Sequence, residues 1–432
     1  TNSESIDIAE DREKWSALCE SLSIAQPPGG TARNVDQAIE IANRIGYPVL
    51  VRPSYVLGGR AMQIVHDQEH LRTAMLEMDQ AGSLGREGGL SSERPVLVDR
   101  FLEDAIEVDV DAIRDATDEV LIGGVMEHVE QAGVHSGDSA CTIPPVTLSK
   151  QIVEEIESTI TKIARALSVI GLINVQFAVA GTTVYVIEAN PRASRTVPFV
   201  AKATGVQLVK VASRVMMGAT LGQLRSEGLL PEKVKGGHVS VKEAVLPFNR
   251  FSEVDTALGP EMRSTGEVMG IDDSFARAFA KAQFAAGTTL PETGLVFVSL
   301  NDRDKSGGVE VVNGLTSLGL QIAATTGTAK FLTEHGCTVS RIVGKFSERK
   351  SDGKGADDAV KLIEAGEIAL VINTPRGYGT RSDGEAIRKA ANNCRVSVVT
   401  TLSAATAAVQ GMIEQRNRPF SVMSLQEFHG RQ

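Results

Sequence analysis

The sequence predicts a two-part α/β protein: an α+β front built on one long β-hairpin, then a doubly wound α/β domain. Three observations predict it. Residues 171–199 hold two β-rich runs, 172–179 and 184–189, around a small polar turn, Ala180-Gly181-Thr182-Thr183. From Leu295 onward, strand–loop–helix units repeat, with strands at 295–300, 321–324, 339–343, 369–373 and 396–400. Helical segments near 308–318, 328–335, 356–365, 383–392 and 403–415 alternate with them, the pattern of a parallel sheet. Between the two parts, Pro291-Glu292-Thr293-Gly294 reads as a linker.

In chain order, residues 9–22 have the periodicity of one amphipathic helix, stopped by Gln26-Pro27-Pro28-Gly29-Gly30. Residues 35–45 form a second helix, closed by Gly46. Val49-Leu50-Val51 is a short buried strand with Arg52 at its exit. Gly58-Gly59 then makes a loop before a strand at 62–65. Strand, cation, glycine loop and strand suit a flap over phosphates, or equally an ordinary glycine hairpin. The Gly- and Ser-rich run 82–93 predicts a mobile surface insertion without an assigned role. Strands follow at 96–98, 105–113 and 121–130. On the second of these, Glu107, Asp109 and Asp111 share one face by period-2 alternation. Asp109 and Asp111 read there as a solvated sheet face. The loop 131–145 holds Gly133, His135, Ser136 and Asp138; turn chemistry or ligand contact would each explain it. His135 alone reads more readily as a structural hydrogen-bonder than as a catalyst. Residues 149–167 and 200–225 are helical, 242–243 lie in a strand, and 275–284 are helical again.

The hairpin carries the chemistry. Centring its turn on Thr182 sets Gln176 opposite Glu188, with Asn174 beside Gln176 and Asn190 beside Glu188 on one face. Val175, Phe177, Tyr185 and Ile187 are expected on the core face. One carboxylate and two amides, without sulfur or imidazole, suit a hard cation such as Mg²⁺ or Mn²⁺. Arg192 and Arg195, just past the strand, are planar donors matched to phosphate. In the second domain the strand ends carry Thr325-Thr326-Gly327-Thr328, Lys345, Asn373-Thr374-Pro375-Arg376 and Thr400-Thr401. Hydroxyls, cations and helix N-termini there describe an anion pocket without an acid/base pair, so binding is favoured over catalysis. Helix capping by the same residues is the alternative, and phosphate binding is favoured over it.

Composition narrows the class. Of 432 residues, 42% are hydrophobic and 23% charged, which is ordinary for a soluble globular protein of two or three domains. A net charge of −10 and no basic patch argue against nucleic-acid binding. Cys19, Cys141, Cys337 and Cys394 lack metal-ligand spacing and read as reduced core thiols of a cytoplasmic protein. No apolar run is long enough to span a membrane. The opening at Thr1 reads as a cut from a longer polypeptide. Neither a Walker-type phosphate loop nor a completed dinucleotide fingerprint occurs, so a nucleotide site must be of another kind.

Four motifs in order, RPSYVLGGRAM at 52–62, EHVEQAGVHSGDSAC at 127–141, NVQF at 174–177 and IEANPRASRTVPF at 187–199, closely resemble the carbamoyl-phosphate synthase large chain. The resemblance covers essentially the whole chain and points to the carboxy-terminal half of that family. It implies an ATP-grasp synthetase unit over residues 1–235, a connecting segment over 236–290, and a methylglyoxal synthase-like allosteric domain over 291–432. The implied reaction is Mg²⁺- or Mn²⁺-dependent phosphorylation of carbamate by ATP, within arginine and pyrimidine biosynthesis.

The resemblance also implies roles. Arg52 would contact ATP phosphates; Arg100, Leu102 and Glu107 would line the adenine and ribose pocket, and Gly133, Val134, His135 and Ser136 would form a further nucleotide loop. Gln176, Glu188 and Asn190 would hold the metal, with Gln176 and Glu188 also meeting ATP. Arg192 would stabilise the transferring phosphoryl group, with Glu188 and Asn190 beside it in the catalytic set. Lys305, Thr325, Thr328, Lys345, Asn373 and Arg376 would bind a nucleotide effector such as UMP or IMP. Glu130, Asp138, Glu243 and Thr401 match an ornithine site. Thr325-Thr326-Gly327-Thr328 stands where the family often has Thr-His-Gly-Thr, which leaves the effector's identity open. Implied partners are the amino-terminal half of the large chain, the small glutaminase subunit and further copies of the chain. Two other readings remain: another ATP-grasp carboxylate ligase, and a non-catalytic nucleotide-binding regulatory fragment.

Overall fold

The computed structural model describes residues 1–53, 61–83, 95–231, 236–250, 254–344, 358–374 and 383–430. Lys345, Arg376, Gly58-Gly59 and most of the 82–93 run fall outside those residues. The chain divides into two units. One holds Thr1–Val239, Gly259–Met262 and Met423–Gln432; the other holds Ser240–Leu258 and Arg263–Val422.

Two sheets build the first unit. The smaller uses β1 (Gly29–Ala32), β2 (Val49–Pro53), β3 (Gln63–Val65) and β4 (Val96–Arg100) in the order β1-β4-β2-β3. Helices Val35–Ile45 and Gln68–Ser83 cover it, burying Ala38, Ile41, Leu71 and Met75 against Val49, Val51, Val96 and Val98. Asn34 caps the first helix by accepting from the Gln37 N–H, and Gly46, at φ 83°, ends it. The strand β1 begins inside the stretch read as a helix stop: Gly29 lets the chain lie close against β4, where a Cβ would meet Asp99 Oδ1 at 2.0 Å.

The larger sheet runs β7-β6-β5-β8-β9, all antiparallel, with β5 at Ile106–Arg114, β6 at Val120–His128, β7 at Cys141–Ile143, β8 at Gly171–Ala180 and β9 at Thr183–Asn190. One face packs on helix Lys150–Ala166, whose Ile156, Ile160 and Ile163 repeat at helical spacing and are fully buried. Each such side chain contributes about 1.5–3 kcal/mol when removed from water. Trp15 and Cys19 complete this core from helix Arg12–Ser21. The single helix expected over 9–22 is in fact two, Ser3–Glu10 and Arg12–Ser21. Asp11 breaks it, its carboxylate accepting from the Glu13 and Lys14 N–H groups as an N-cap.

The second unit holds a parallel sheet: β12 (Leu295–Ser299), β13 (Gln321–Thr325), β14 (Arg341–Val343), β15 (Ile368–Asn373) and β16 (Ser397–Val399), ordered β14-β13-β12-β15-β16. This is the expected doubly wound domain, with its order reversing at β12. The strands β10 (Val239–Val245) and β11 (Gly266–Asp272) precede it. Helix Phe275–Ala285 lies against helix Leu402–Asn417 so closely that a Cβ at Gly411 would sit 2.8 Å from the Ala276 carbonyl oxygen. Three of the four cysteines are buried as expected, but Cys394 is exposed, one residue past the helix Asp383–Asn393.

Candidate active site on the β8–β9 hairpin

The hairpin turns over two residues, pairing Ala180 with Thr183, so near the turn its centre is not Thr182. From Ala180 to Phe177 the partners are Thr183 to Val186. The ladder then slips between Gln176 and Phe177, leaving Ile187 unpaired, and Gln176 faces Glu188, Val175 faces Ala189 and Asn174 faces Asn190. The predicted opposition of Gln176 and Glu188 therefore holds, through a β-bulge. The bulge corrects the expected core face: Val175, Phe177, Val184, Val186 and Ala189 point into the core, while Tyr185 and Ile187 do not.

On the other face the side chains form a short chain. Asn190 Nδ2 donates to Glu188 Oε1 at 2.9 Å, and Arg192 Nη2 donates to Asn190 Oδ1 at 2.8 Å. Arg52 reaches the same carboxylate, Nη1 to Glu188 Oε2 at 4.0 Å, and its Nε lies 3.4 Å from Asp99. Asp99 is buried and also accepts from Arg12 Nη2 at 2.6 Å. Sequence reasoning passed over Arg12 and Asp99, because nothing local marks a salt bridge across 87 residues. Among the described residues no group of three or more His, Cys, Asp or Glu side chains could hold a metal ion. The donors on this face are instead a half-exposed carboxylate and the amide oxygens of Gln176 and Asn190, which fit a hard divalent cation carrying water and phosphate.

On the same face and one strand over, β5 sets Glu107, Asp109 and Asp111 directly opposite Ala178, Gln176 and Asn174. The solvated face expected for Asp109 and Asp111 is wrong for both: each is 1% exposed. Their partners explain why burial is tolerated. Asp109 Oδ2 meets His128 Nε2 at 2.9 Å, and Asn174 Nδ2 bridges Asp109 Oδ1 (3.3 Å) and Asp111 Oδ1 (3.0 Å). Burial raises the Asp109 pKa, but hydrogen bonds from His128, Gln176 and Asn174 outweigh it and hold the carboxyl below its usual range. For His128, burial works downward, yet Cys141 and Asp109 push it well above an ordinary histidine. Asp111 also accepts from Ser194 Oγ at 2.7 Å and Thr196 Oγ1 at 2.6 Å; burial nonetheless pushes it up to about 6.

The residues expected to form a nucleotide loop are tied to the same sheet. Glu107 accepts from the Gly133 N–H at 2.8 Å, and burial raises its carboxyl against the pull of His128 and that N–H. Gly133 sits at φ 90°, where a Cβ would strike Phe101 at 2.8 Å, so the loop needs glycine both for conformation and for room. Val134 is buried, and the His135 N–H donates to the Gly259 carbonyl at 2.9 Å. His135 Nδ1 accepts from the Gly137 N–H at 2.9 Å, and burial lowers its pKa, so the ring is neutral. Ser136 is half-buried beside it. Arg195 is exposed and contacts the sulfur of Met262. Arg100 donates to the Tyr47 carbonyl at 2.6 Å. Leu102 and Ile187 pack with Ala105, Ala132 and Ala178 in a small apolar patch on the hairpin's site side. Only Leu102 of these was anticipated, since alanine carries no local signal.

Of the residues matched to an ornithine site, Glu130 accepts from the Ala140 N–H at 2.5 Å and Asp138 is buried, both in the first unit. In the second unit, Glu243 accepts from Gln283 Nε2 at 2.6 Å, and Thr401 caps helix Leu402–Asn417. The second unit also gathers Lys305, Thr325, Thr328 and Asn373 at the carboxyl edge of its parallel sheet. Thr328 Oγ1 accepts from the Leu300 N–H at 3.1 Å and from Thr325 Oγ1 at 3.1 Å. Asn373 accepts from Arg388 Nη1 at 2.8 Å, and Arg388 also holds Asp255 through two bonds of 2.6 and 2.7 Å. Lys305 pairs with Asp302 at 2.7 Å.

Comparison with known proteins agrees with this architecture. Residues 11–224 match the family described as carbamoyl-phosphate synthase L chain, ATP binding domain, and residues 307–400 match the MGS-like domain. The carbamoyl phosphate synthase large chain of Synechocystis sp. is 48% identical over 431 residues, covering 100% of this chain and 38% of the relative. That of Mycobacterium sp. (strain JLS) is 50% identical over 441 residues, covering 99% and 39% respectively. The chain thus spans well under half the length of these relatives. In three dimensions the biotin carboxylase of Campylobacter jejuni, solved as a β-γ-ATP complex, superposes with a TM-score of 0.52 at 18% identity, over 66% of this chain and 68% of that one. The biotin carboxylase domain of Hydrogenobacter thermophilus 2-oxoglutarate carboxylase gives 0.53 at 19%, over 65% and 66%. These two share the ATP-grasp fold. Over residues 11–224 the chain thus carries the ATP binding domain of the carbamoyl-phosphate synthase L chain, and over residues 307–400 an MGS-like domain.

Proposed function

We propose that this chain transfers the γ-phosphoryl group of ATP to carbamate, giving carbamoyl phosphate and ADP. The observation that carries the reading is the hydrogen-bonded chain Glu188–Asn190–Arg192 facing Gln176 on one hairpin face. It puts a cation-binding carboxylate and amides beside a guanidinium suited to phosphoryl oxygens. Gln176, Glu188 and Asn190 would hold Mg²⁺ or Mn²⁺, which supplies charge neutralisation when bound. The protein's own part is positioning. Arg52, kept extended by Asp99, meets the nucleotide phosphates. Arg100, Leu102, Glu107 and the Gly133–Ser136 loop surround the nucleoside, whose base rests on the apolar patch of Ala178 and Ile187. Arg192 neutralises charge that develops on the moving phosphoryl group. No side chain need form a covalent bond to it.

The reverse partial reaction tests this cheaply: carbamoyl phosphate should phosphorylate ADP in the presence of the chain and Mg²⁺. A folded chain that phosphorylates ADP only from another acyl phosphate would be a different ATP-grasp ligase. We further propose that the remainder of the large chain and a glutaminase subunit supply the carbamate in the cytoplasm. UMP or IMP would bind the second unit, where helices Lys305–Ser317 and Thr326–Glu334 begin without side-chain caps. Uncapped helix N-termini beside Lys305 favour an anion. Ornithine binding and self-association complete the proposal by family resemblance.

A further inference from the structure

We propose that Asp111 is the positioning residue that aims Arg192 and Arg195. The inference rests on the phosphoryl-transfer reading above. Its basis is the alternation of the loop that follows β9. Arg192, Ala193 and Arg195 are exposed, whereas Ser194 and Thr196 turn inward, and both inward hydroxyls donate to Asp111. Asp111 lies in the middle of the larger sheet, 1% exposed, and takes a third donor from Asn174. Every atom that meets its carboxylate is a donor: two hydroxyls and one amide N–H. A carboxylate is the side chain that accepts on both oxygens and donates on neither. Thr196 opens helix Val197–Thr204 yet makes no capping bond to it; its hydroxyl is spent on Asp111. The loop therefore has one buried anchor two residues from Arg192 and one residue from Arg195. Arg192 is tethered at its other end to Asn190 by the Nη2–Oδ1 bond and by a 2.8 Å bond from its N–H to the Asn190 carbonyl. Held at both ends, the guanidinium has a fixed origin. Freed at Asp111, it keeps its charge and loses its aim.

Positioning errors on the order of 1 Å can cost about 10²-fold in rate. The test is the steady-state reverse reaction of the full chain carrying Asp111→Asn, Thr196→Val, or both. The expected result is a 10- to 100-fold fall in kcat for each single variant, with KM for ADP within about twofold of the parent. The double variant should fall no further than Asp111→Asn alone, because the bond that Thr196→Val removes is one of those that Asp111→Asn already perturbs. Thr196→Val guards against a folding failure at position 111, since it deletes only one hydroxyl. A folded Thr196→Val chain with unchanged kcat, or with a loss confined to KM, would overturn the proposal. If the unaltered chain shows no phosphoryl transfer, the functional reading fails, and the positioning claim is decided by amide exchange. Faster exchange at 192–196 in Thr196→Val, with β8 unchanged, supports it, and an unchanged loop overturns it.

Discussion

Gln176 and Glu188 face each other across the hairpin because Ile187 is one residue too many. The extra residue absorbs the mismatch between a two-residue turn and the register the site needs. Deleting Ile187 should therefore leave a regular ladder with Gln176 still opposite Glu188, so the divalent dependence of the rate should survive while KM for the nucleotide rises through loss of a side chain from the apolar patch. Deleting Ala189 instead turns Asn190 to the core face and should abolish turnover. Rates of the two deletion variants, compared with their melting temperatures, check this.

Glu188→Ala should remove metal-dependent turnover while the chain stays folded. It takes the half-exposed carboxylate from a face on which Asp109 and Asp111 are buried and already hydrogen-bonded. A titration of rate against Mg²⁺ is the measurement, and wild-type activity at limiting Mg²⁺ would refute the assignment.

Arg192→Ala should lower kcat far more than it raises KM for the nucleotide. A guanidinium matched to transition-state charge is worth roughly 10³–10⁵ in rate. A change confined to KM would make it a ground-state contact.

Stability of the second unit should fall in acid through Asp272. This carboxylate is 7% exposed and pairs with Arg277 Nε (3.1 Å), Lys281 Nζ (2.8 Å) and Arg418 Nη2 (3.0 Å). Burial alone would raise its pKa, but Lys281, Asp273 and Arg277 outweigh it and hold the carboxyl well below the usual range. A depressed folded-state pKa contributes stability that is complete above the unfolded value near 4 and is lost as pH falls through the folded one. Urea midpoints of the parent and Asp272→Asn should differ at pH 6, and the gap should narrow progressively as pH falls below about 4. A gap that stays constant down to pH 2 would argue against it.

The full chain should bind UMP or IMP, and Lys305→Met should weaken that binding. Isothermal titration with each nucleotide and with inorganic phosphate is the check, and binding unchanged by the variant would move the site elsewhere.

Much of this was legible in the sequence, and the exceptions share a cause. The parallel sheet was readable because its strands are continuous apolar runs between glycine- and asparagine-marked turns. The hairpin pair Gln176–Glu188 was readable because opposition across a short turn is a local property. Asp109 and Asp111 were not, because alternation along β5 says only that they share a face. What covers that face, His128, Asn174, Ser194 and Thr196, lies between 19 and 85 residues away. Asp11 was a helix stop hidden inside an apolar period, and β1 was two glycines whose strand geometry depends on β4. Burial of charge is a tertiary fact and leaves no periodic trace.

The chain passes between its two units at 239/240, 258/259, 262/263 and 422/423. This interleaving has a practical meaning for dissection. No single cut yields two self-contained pieces, and a shortened chain beginning at 291 would lack helix Phe275–Ala285. It would leave the Arg418 carbonyl without Arg277 (2.6 Å) and Glu414 without Ser274 (2.6 Å). A chain that keeps 240–258 together with 263–422, rather than one cut at 291, is the form in which the second unit can be studied by itself.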